Sequence, residues 1–182
     1  EHPSVASVGE TAVKPRIRRE GRAPSQPCSC GASLSECPYW RRVFDRVSAE
    51  GIPFNAHSWT NDYRFENPVL DALLTRESSI GALLHVRRWI GRHVPAYRTR
   101  IARIDRVNVA LVKSVLAETG GTVFFDSTKL LTRLTHLLKI PELDVKIVRL
   151  VRDVRGFAAS AKRRGIPPET AASIWHKDQT AI

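Results

Sequence analysis

The chain has 182 residues, no methionine, and 29 Lys and Arg against 18 Asp and Glu, a formal charge of +11. Apolar residues make up 42 % of it, enough for one domain with a sizeable core and too many for a disordered chain. No apolar run reaches the ~18 residues of a membrane helix and no signal segment opens the chain, so the expectation is a soluble, cytoplasmic protein whose positive field attracts anions.

In chain order, Val5 to Val8 is a short apolar segment ending at Gly9-Glu10. Thr11 to Pro27 is rich in Pro, Gly, Arg and Ser and reads as a mobile loop, followed by a cysteine loop. Pro38-Tyr39-Trp40 opens a helix with Trp40, Val43, Phe44 and Val47 at helical spacing. Residues 52–66 are aromatic and polar without a clear period. Helices are then expected from Pro68 to about Arg76, from Ile80 to about His93, and from Ala96 to Glu118, the last with Ile101, Ile104, Val107, Leu111 and Val115 as its stripe. Gly120-Gly121 ends it.

Thr122-Val123-Phe124-Phe125 reads as a buried strand, Leu130 to Leu138 as a helix, and Val145 to Val151 as a second strand. Asp153 caps a helix running to about Arg164, and Pro167-Pro168 separates it from a last helix around Trp175. Strand, helix, strand, helix is the βαβ pattern, which makes the two strands parallel neighbours. The expectation is a single 1–182 domain: a flexible and cysteine loop over 11–37, a mainly helical insertion over 38–119, and a βαβα segment over 122–165.

Cys28, Cys30 and Cys37 lie within ten positions of one another. An odd number in one loop is not a secreted disulfide framework. The spacing also departs from the two close pairs of a structural zinc site, with His57 as a candidate fourth ligand. Free thiols, or one Cys28–Cys37 or Cys30–Cys37 bridge, are favoured over zinc.

Parallel strands place their C-terminal ends on one sheet edge, where open α/β sheets bind ligands. Asp126-Ser127-Thr128-Lys129 follows the first strand and Arg152-Asp153-Val154-Arg155 the second, each before a helix N-terminus that favours an anion. Arg152 offers a planar fork for two phosphate oxygens, and Ser160, two turns into the helix, brings a hydroxyl towards the same anion. The bland alternative is that Asp126 and Asp153 cap helices while the arginines face water.

The run from Leu150 to Ser160, with Arg152 at the strand end and Ser160 eight residues later, resembles the 3′-phosphate-binding segment of the sulfotransferase family. Phe125-Asp126-Ser127-Thr128-Lys129 is similar to a segment of its bacterial-type members, with Thr128 where they have a second Ser. Cys28-Ser29-Cys30-Gly31, Cys37-Pro38-Tyr39-Trp40 and His2-Pro3 leading to Val8-Gly9-Glu10 resemble further segments of that group. Val154 departs from the family's usual Pro, and residues 50–115 carry no likeness. The resemblance implies an α/β, P-loop-NTPase-like three-layer fold with a parallel sheet flanked by helices. It also implies 3′-phosphoadenosine 5′-phosphosulfate as co-substrate and sulfuryl transfer to a hydroxyl on a glycan, lipid, peptide or small molecule. The family's 5′-phosphosulfate loop, of Arg-Ser-Gly-Thr-Thr type, is not in the sequence, and the expectation is that the chain begins after it.

By that resemblance Arg152 and Ser160 bind the 3′-phosphate with Arg155 beside them, and Ser127 contacts the phosphosulfate. Glu10 is the candidate base, on the likeness to the tyrosyl-protein branch, and His57 the reserve base. Lys129 either neutralises charge on the bridging oxygen or is merely the exposed first turn of a helix. No metal and no nucleic acid are expected, and oligomeric state is not readable. Two other readings compete. One is a P-loop-type nucleotide or small-molecule kinase, with Asp126 holding magnesium. The other is a basic nucleic-acid-binding protein, suggested by charge and by Trp40, Tyr63, Trp89 and Tyr97, although no recognition motif supports it.

Overall fold

The computed structural model describes residues 2–11, 28–56, 60–75, 81–151 and 153–180. The expected mobile loop, from residue 12 onwards, and two candidate site residues, His57 and Arg152, lie outside the described residues. Among the described residues there are two short strands, β1 (Val5–Ser7) and β2 (Val123–Phe125). Seven helices accompany them: α1 (Pro38–Ala49), α2 (Pro68–Leu74), α3 (Gly81–His93), α4 (Pro95–Thr119), α5 (Leu131–Leu137), α6 (Val154–Lys162) and α7 (Pro168–Thr180). The class is mixed α/β. The chain divides into two compact units, residues 1–144 and 145–182.

In the first unit, α1 and α4 pack because each carries an apolar stripe at helical spacing. Trp40, Val43, Phe44 and Val47 of α1 meet Val107, Ala110, Leu111 and Val115 of α4, with Ile52 and Phe54 closing the cluster. Phe44 stacks on Trp40 at 5.5 Å and meets Phe54 edge-on at 5.7 Å. Prolines at the first turns of α1, α2 and α4 fit positions where no N–H is needed.

α4 stops at Gly120 in the left-handed conformation, and the chain turns straight into β2. A Cβ on Gly121 would stand 3.3 Å from the Ser4 carbonyl oxygen, so glycine permits the close approach there. Thr122 N and Val123 N both donate to Ser4 O, at 2.9 and 3.0 Å. β2 then pairs with β1 in parallel, Val5 opposite Val123, Ala6 opposite Phe124 and Ser7 opposite Phe125. The connection between the strands is the whole of 8–122, as a parallel pair requires a crossover.

The segment 60–66 is held on α4 by side chains. Arg100 lies 4.0 Å over the Phe65 ring and donates to the carbonyl oxygens of Tyr63 and Arg64 at 3.1 and 2.6 Å.

The second unit contains α6 and α7. Asp153 caps α6, its Oδ1 accepting from Arg155 N at 2.8 Å. Ala161 and Ala171, both fully buried, are small enough to let the helices approach closely. The expected second strand over 145–151 is not formed, and the βαβ pairing expected between it and 122–125 is replaced by the β1–β2 pair. The physical reason is that β-branched sequence alone does not make a strand. A ladder needs a partner's N–H and C=O groups, and Ile147, Val148, Leu150 and Val151 are all more than half exposed. Among the described residues no helix is long and apolar enough to cross a membrane.

Candidate functional site

Both strands of the parallel pair end at the same edge, and the polar residues that follow them meet there. The pairing continues one step past the strands: Ser127 N donates to Gly9 O at 3.2 Å. Glu10, after β1, forms an ion pair with Lys129, after β2. The lysine side chain is 82 % and the glutamate 41 % exposed, so solvent and any ligand reach both. Two residues 119 positions apart, singled out as candidate base and candidate cation, are thus brought together by strand register. Ser127 is half-buried beside them.

Behind that pair is a buried cluster centred on Asp126. Its Oδ2 accepts from the Thr11 hydroxyl at 2.8 Å and from Arg133 Nε at 2.9 Å, and its Oδ1 accepts from Thr128 N at 2.9 Å. Burial pushes the Asp126 carboxyl up. The Arg133 guanidinium and the hydrogen bonds from Thr128 and Thr11 outweigh it and hold the group below the usual carboxylate range. Asp126 therefore caps no helix N-terminus: α5 begins five residues later, and both carboxylate oxygens are engaged by Thr11, Thr128 and Arg133.

Arg133 is 4 % exposed and every nitrogen of its guanidinium donates. Nη1 reaches Asn108 Oδ1 at 2.6 Å and Asn61 O at 3.3 Å, and Nη2 reaches Thr11 Oγ1 at 2.9 Å. Asn108 Nδ2 in turn donates to Asn61 O, Tyr63 Oη and Ile104 O. Asn61 Nδ2 donates to Thr11 O at 2.9 Å, and its buried Oδ1 has no hydrogen-bond partner among the described residues. One guanidinium thus ties the ends of β1 and β2 to α4, α5 and the 60–66 segment. A buried pair so completely hydrogen-bonded fixes one arrangement of those ends.

The cluster continues outward to Tyr63, whose hydroxyl donates to Asp105 Oδ1 at 2.7 Å and whose ring stacks on His136 at 4.2 Å. Burial, then the Asp105 bond, raise the Tyr63 phenol. Burial raises Asp105 against the opposing pull of that same bond. His136 is pushed down to about 4, chiefly by burial, with Lys139 and Arg100 adding repulsion. Its imidazole is neutral at physiological pH.

The remaining candidates belong to the second unit. Arg155 forks onto Asp153, with Nε to Oδ1 at 3.2 Å and Nη2 to Oδ2 at 3.1 Å, on an open surface. Ser160 is half-buried within α6, its carbonyl accepting from Arg164 Nε at 3.4 Å.

Thr11, Asn61, Asn108 and Arg133 were not legible as site residues from motifs. A signal existed for two of them. Asn108 and Arg133 occupy positions that the apolar stripes of α4 and α5 would give to core residues, and a polar residue there needs a buried partner. No family model, curated protein or solved structure matches this chain.

Proposed function

We propose that this chain belongs to a sulfotransferase that moves a sulfuryl group from 3′-phosphoadenosine 5′-phosphosulfate to an acceptor hydroxyl, on a P-loop-like three-layer α/β scaffold. The observation that carries the reading is the Glu10–Lys129 ion pair bridging the C-terminal ends of two parallel strands. That edge is where open α/β sheets bind ligands. An exposed pair of this kind adds only about 0–1 kcal/mol to stability, so its placement on a rigid buried support suits chemistry better than scaffolding.

In this mechanism the acceptor oxygen attacks sulfur in line with the bridging oxygen of the donor. The new O–S bond forms as the old one breaks, and 3′-phosphoadenosine 5′-phosphate leaves. Glu10, positioned at the sheet edge by its ion pair with Lys129, takes the acceptor proton. Lys129 turns from Glu10 to the leaving phosphate and offsets the charge that develops there. Ser127 supplies a hydroxyl to the same group. Arg152 and Ser160 hold the 3′-phosphate, on the strength of the sequence resemblance alone.

The state of Asp126 weighs against the kinase reading. A magnesium ligand must offer an available carboxylate oxygen, whereas Asp126 is engaged at both oxygens and neutralised by Arg133. Titration calorimetry with 3′-phosphoadenosine 5′-phosphate against ATP tests the proposal. The 3′-phosphorylated nucleotide is expected to bind at least about tenfold more tightly, a difference of about 1.4 kcal/mol. Arg152→Ala should remove the preference. Equal or tighter binding of ATP with magnesium overturns the reading in favour of a kinase. Oligonucleotide binding with a steep salt dependence and no nucleotide preference would replace it with nucleic-acid recognition.

A further inference from the structure

The cysteine loop stands apart from the strand-end cluster and has its own geometry. Cys37 Sγ lies 3.5 Å from Cys28 Sγ and 3.7 Å from Cys30 Sγ, and all three sulfurs lie within 4.8 Å of one another. Sulfurs bound at about 2.3 Å to one tetrahedral zinc stand about 3.8 Å apart. A disulfide demands about 2.05 Å between one pair and leaves the third thiol a bystander. Here Cys37 is nearly equidistant from both others, which is the face of a tetrahedron rather than a pair with a spectator.

The backbone is folded to make that face. Gly31 N donates to Cys28 O at 2.8 Å and Cys28 N to Ala32 O at 2.7 Å, which closes a tight knuckle around Cys30. Gly31 sits at φ 89°, a conformation that favours glycine. Cys37 N donates to Ser33 O at 2.9 Å and brings the third sulfur back to the knuckle. Cys37 occupies the N-cap of α1, yet its side chain makes no cap bond, so the sulfur is turned to the other cysteines instead. Burial grades across the group: Cys37 is buried, Cys28 half-buried and Cys30 exposed.

We propose that Cys28, Cys30 and Cys37 form a three-thiolate site for a soft tetrahedral divalent cation of the zinc type, with the fourth position open to water or another donor. The role is structural. Binding exchanges S–H protons for metal–sulfur bonds and fastens the loop to the start of α1, whose Trp40, Val43, Phe44 and Val47 build the core. This site is independent of the sulfuryl-transfer reading.

The test is metal content and cobalt titration on the full chain, purified under reducing conditions. About one zinc per chain is expected by plasma mass spectrometry. The chelator-treated protein should take up Co²⁺ with sulfur-to-cobalt charge-transfer bands and the intense visible bands of a tetrahedral ion. Cys37→Ser should weaken cobalt binding by more than about 100-fold. Should that variant fail to fold, Cys30→Ser serves, since Cys30 is exposed and outside the core; it should lose part of the charge-transfer intensity and weaken binding in the same direction. Three outcomes overturn the proposal: no cobalt–thiolate bands in the reduced wild type, cobalt uptake unchanged by Cys30→Ser, or a stable two-cysteine bridge in mass spectra with no metal uptake after reduction.

Discussion

Two apolar segments of this chain look alike in sequence and end differently. Val123-Phe124-Phe125 is a strand, and the longer, β-branched run over 145–151 is not. The shorter one has a partner: Ser4 accepts from Thr122 and Val123, and Val5–Ser7 continues the ladder. The polar residues after each segment differ in the same way. Asp126 is bound by Thr11, 115 residues away, and by the buried Arg133 of α5, whereas Asp153 is bound by Arg155 two residues away. A strand end that is paired becomes a platform on which remote side chains converge. One that is not leaves its polar residues to satisfy themselves locally.

The largest expected effect breaks the first of these clusters. Arg133→Ala leaves Asp126 buried without its counter-charge and removes one donor each from Thr11, Asn61 and Asn108. Removing one partner of a buried pair costs about 3–5 kcal/mol, and urea denaturation should show a loss of that size. A loss under about 1 kcal/mol would mean that the guanidinium does not hold the two strand ends together.

Lys129 stands at the same edge but on its exposed rim, so the expected outcome is reversed. Lys129→Ala should leave the urea midpoint nearly unchanged, since exposed pairs contribute about 0–1 kcal/mol, and should lower sulfuryl transfer by about 100-fold or more. Glu10→Gln should lower turnover similarly while retaining nucleotide affinity, because a base acts on the acceptor and not on the donor. Transfer rates within a factor of two of wild type in both variants would remove the pair from the chemistry.

A pH titration of stability sharpens the comparison further. His136 is held neutral in the fold, with its value lowered from 6.5 to about 4. The unfolded chain therefore binds a proton that the folded one refuses, and stability falls as pH drops from about 6.5 towards 4. After allowance for solvent screening the loss is about 1–2 kcal/mol. Asp105, whose value is raised, acts with the opposite sign in the lower part of that window. Asp126, whose value is depressed, contributes stability present above the ordinary carboxylate value and lost as pH falls through its folded value. His136→Phe keeps a ring for Tyr63 to stack on and should flatten the slope between pH 6.5 and 5. An unaltered slope would place its origin elsewhere.

The helices were legible because their signals are local. The stripe Trp40, Val43, Phe44, Val47, the prolines at first turns and Gly120 each act within a few residues, and α1 and α4 lie where those signals put them. Asp153 as a cap was legible for the same reason. The sheet was not: which apolar segment pairs with Val123–Phe125 depends on Val5–Ser7, far away in sequence, closing onto it, and β-branched content is equally present in the segment that stays unpaired. The candidate site was half legible. Glu10 and Lys129 stood out as functional types at segment ends, and strand register then joined them. Arg133 was hidden because a helical arginine is ordinarily solvated, and only its place on an apolar stripe marked it.

The smallest expected effect separates the two polar clusters by range rather than by size. Asp153 accepts from Arg155 N and pairs with the Arg155 side chain on an open surface, so its bonds lie within the first turn of α6. Asp153→Ala should speed amide exchange at Arg155, Gly156 and Phe157, where the cap is lost, and leave the amides of α4 and β2 untouched. Asp126→Asn keeps the shape but not the charge, and should speed exchange across Thr128, the end of β2 and the inner face of α4 together, because Arg133 loses its counter-ion while still bound to Asn108 and Thr11. Exchange profiles of equal reach in the two variants would show that the Asp126 cluster is no more than a local cap, and the rigid support assigned to Glu10 and Lys129 would go with it.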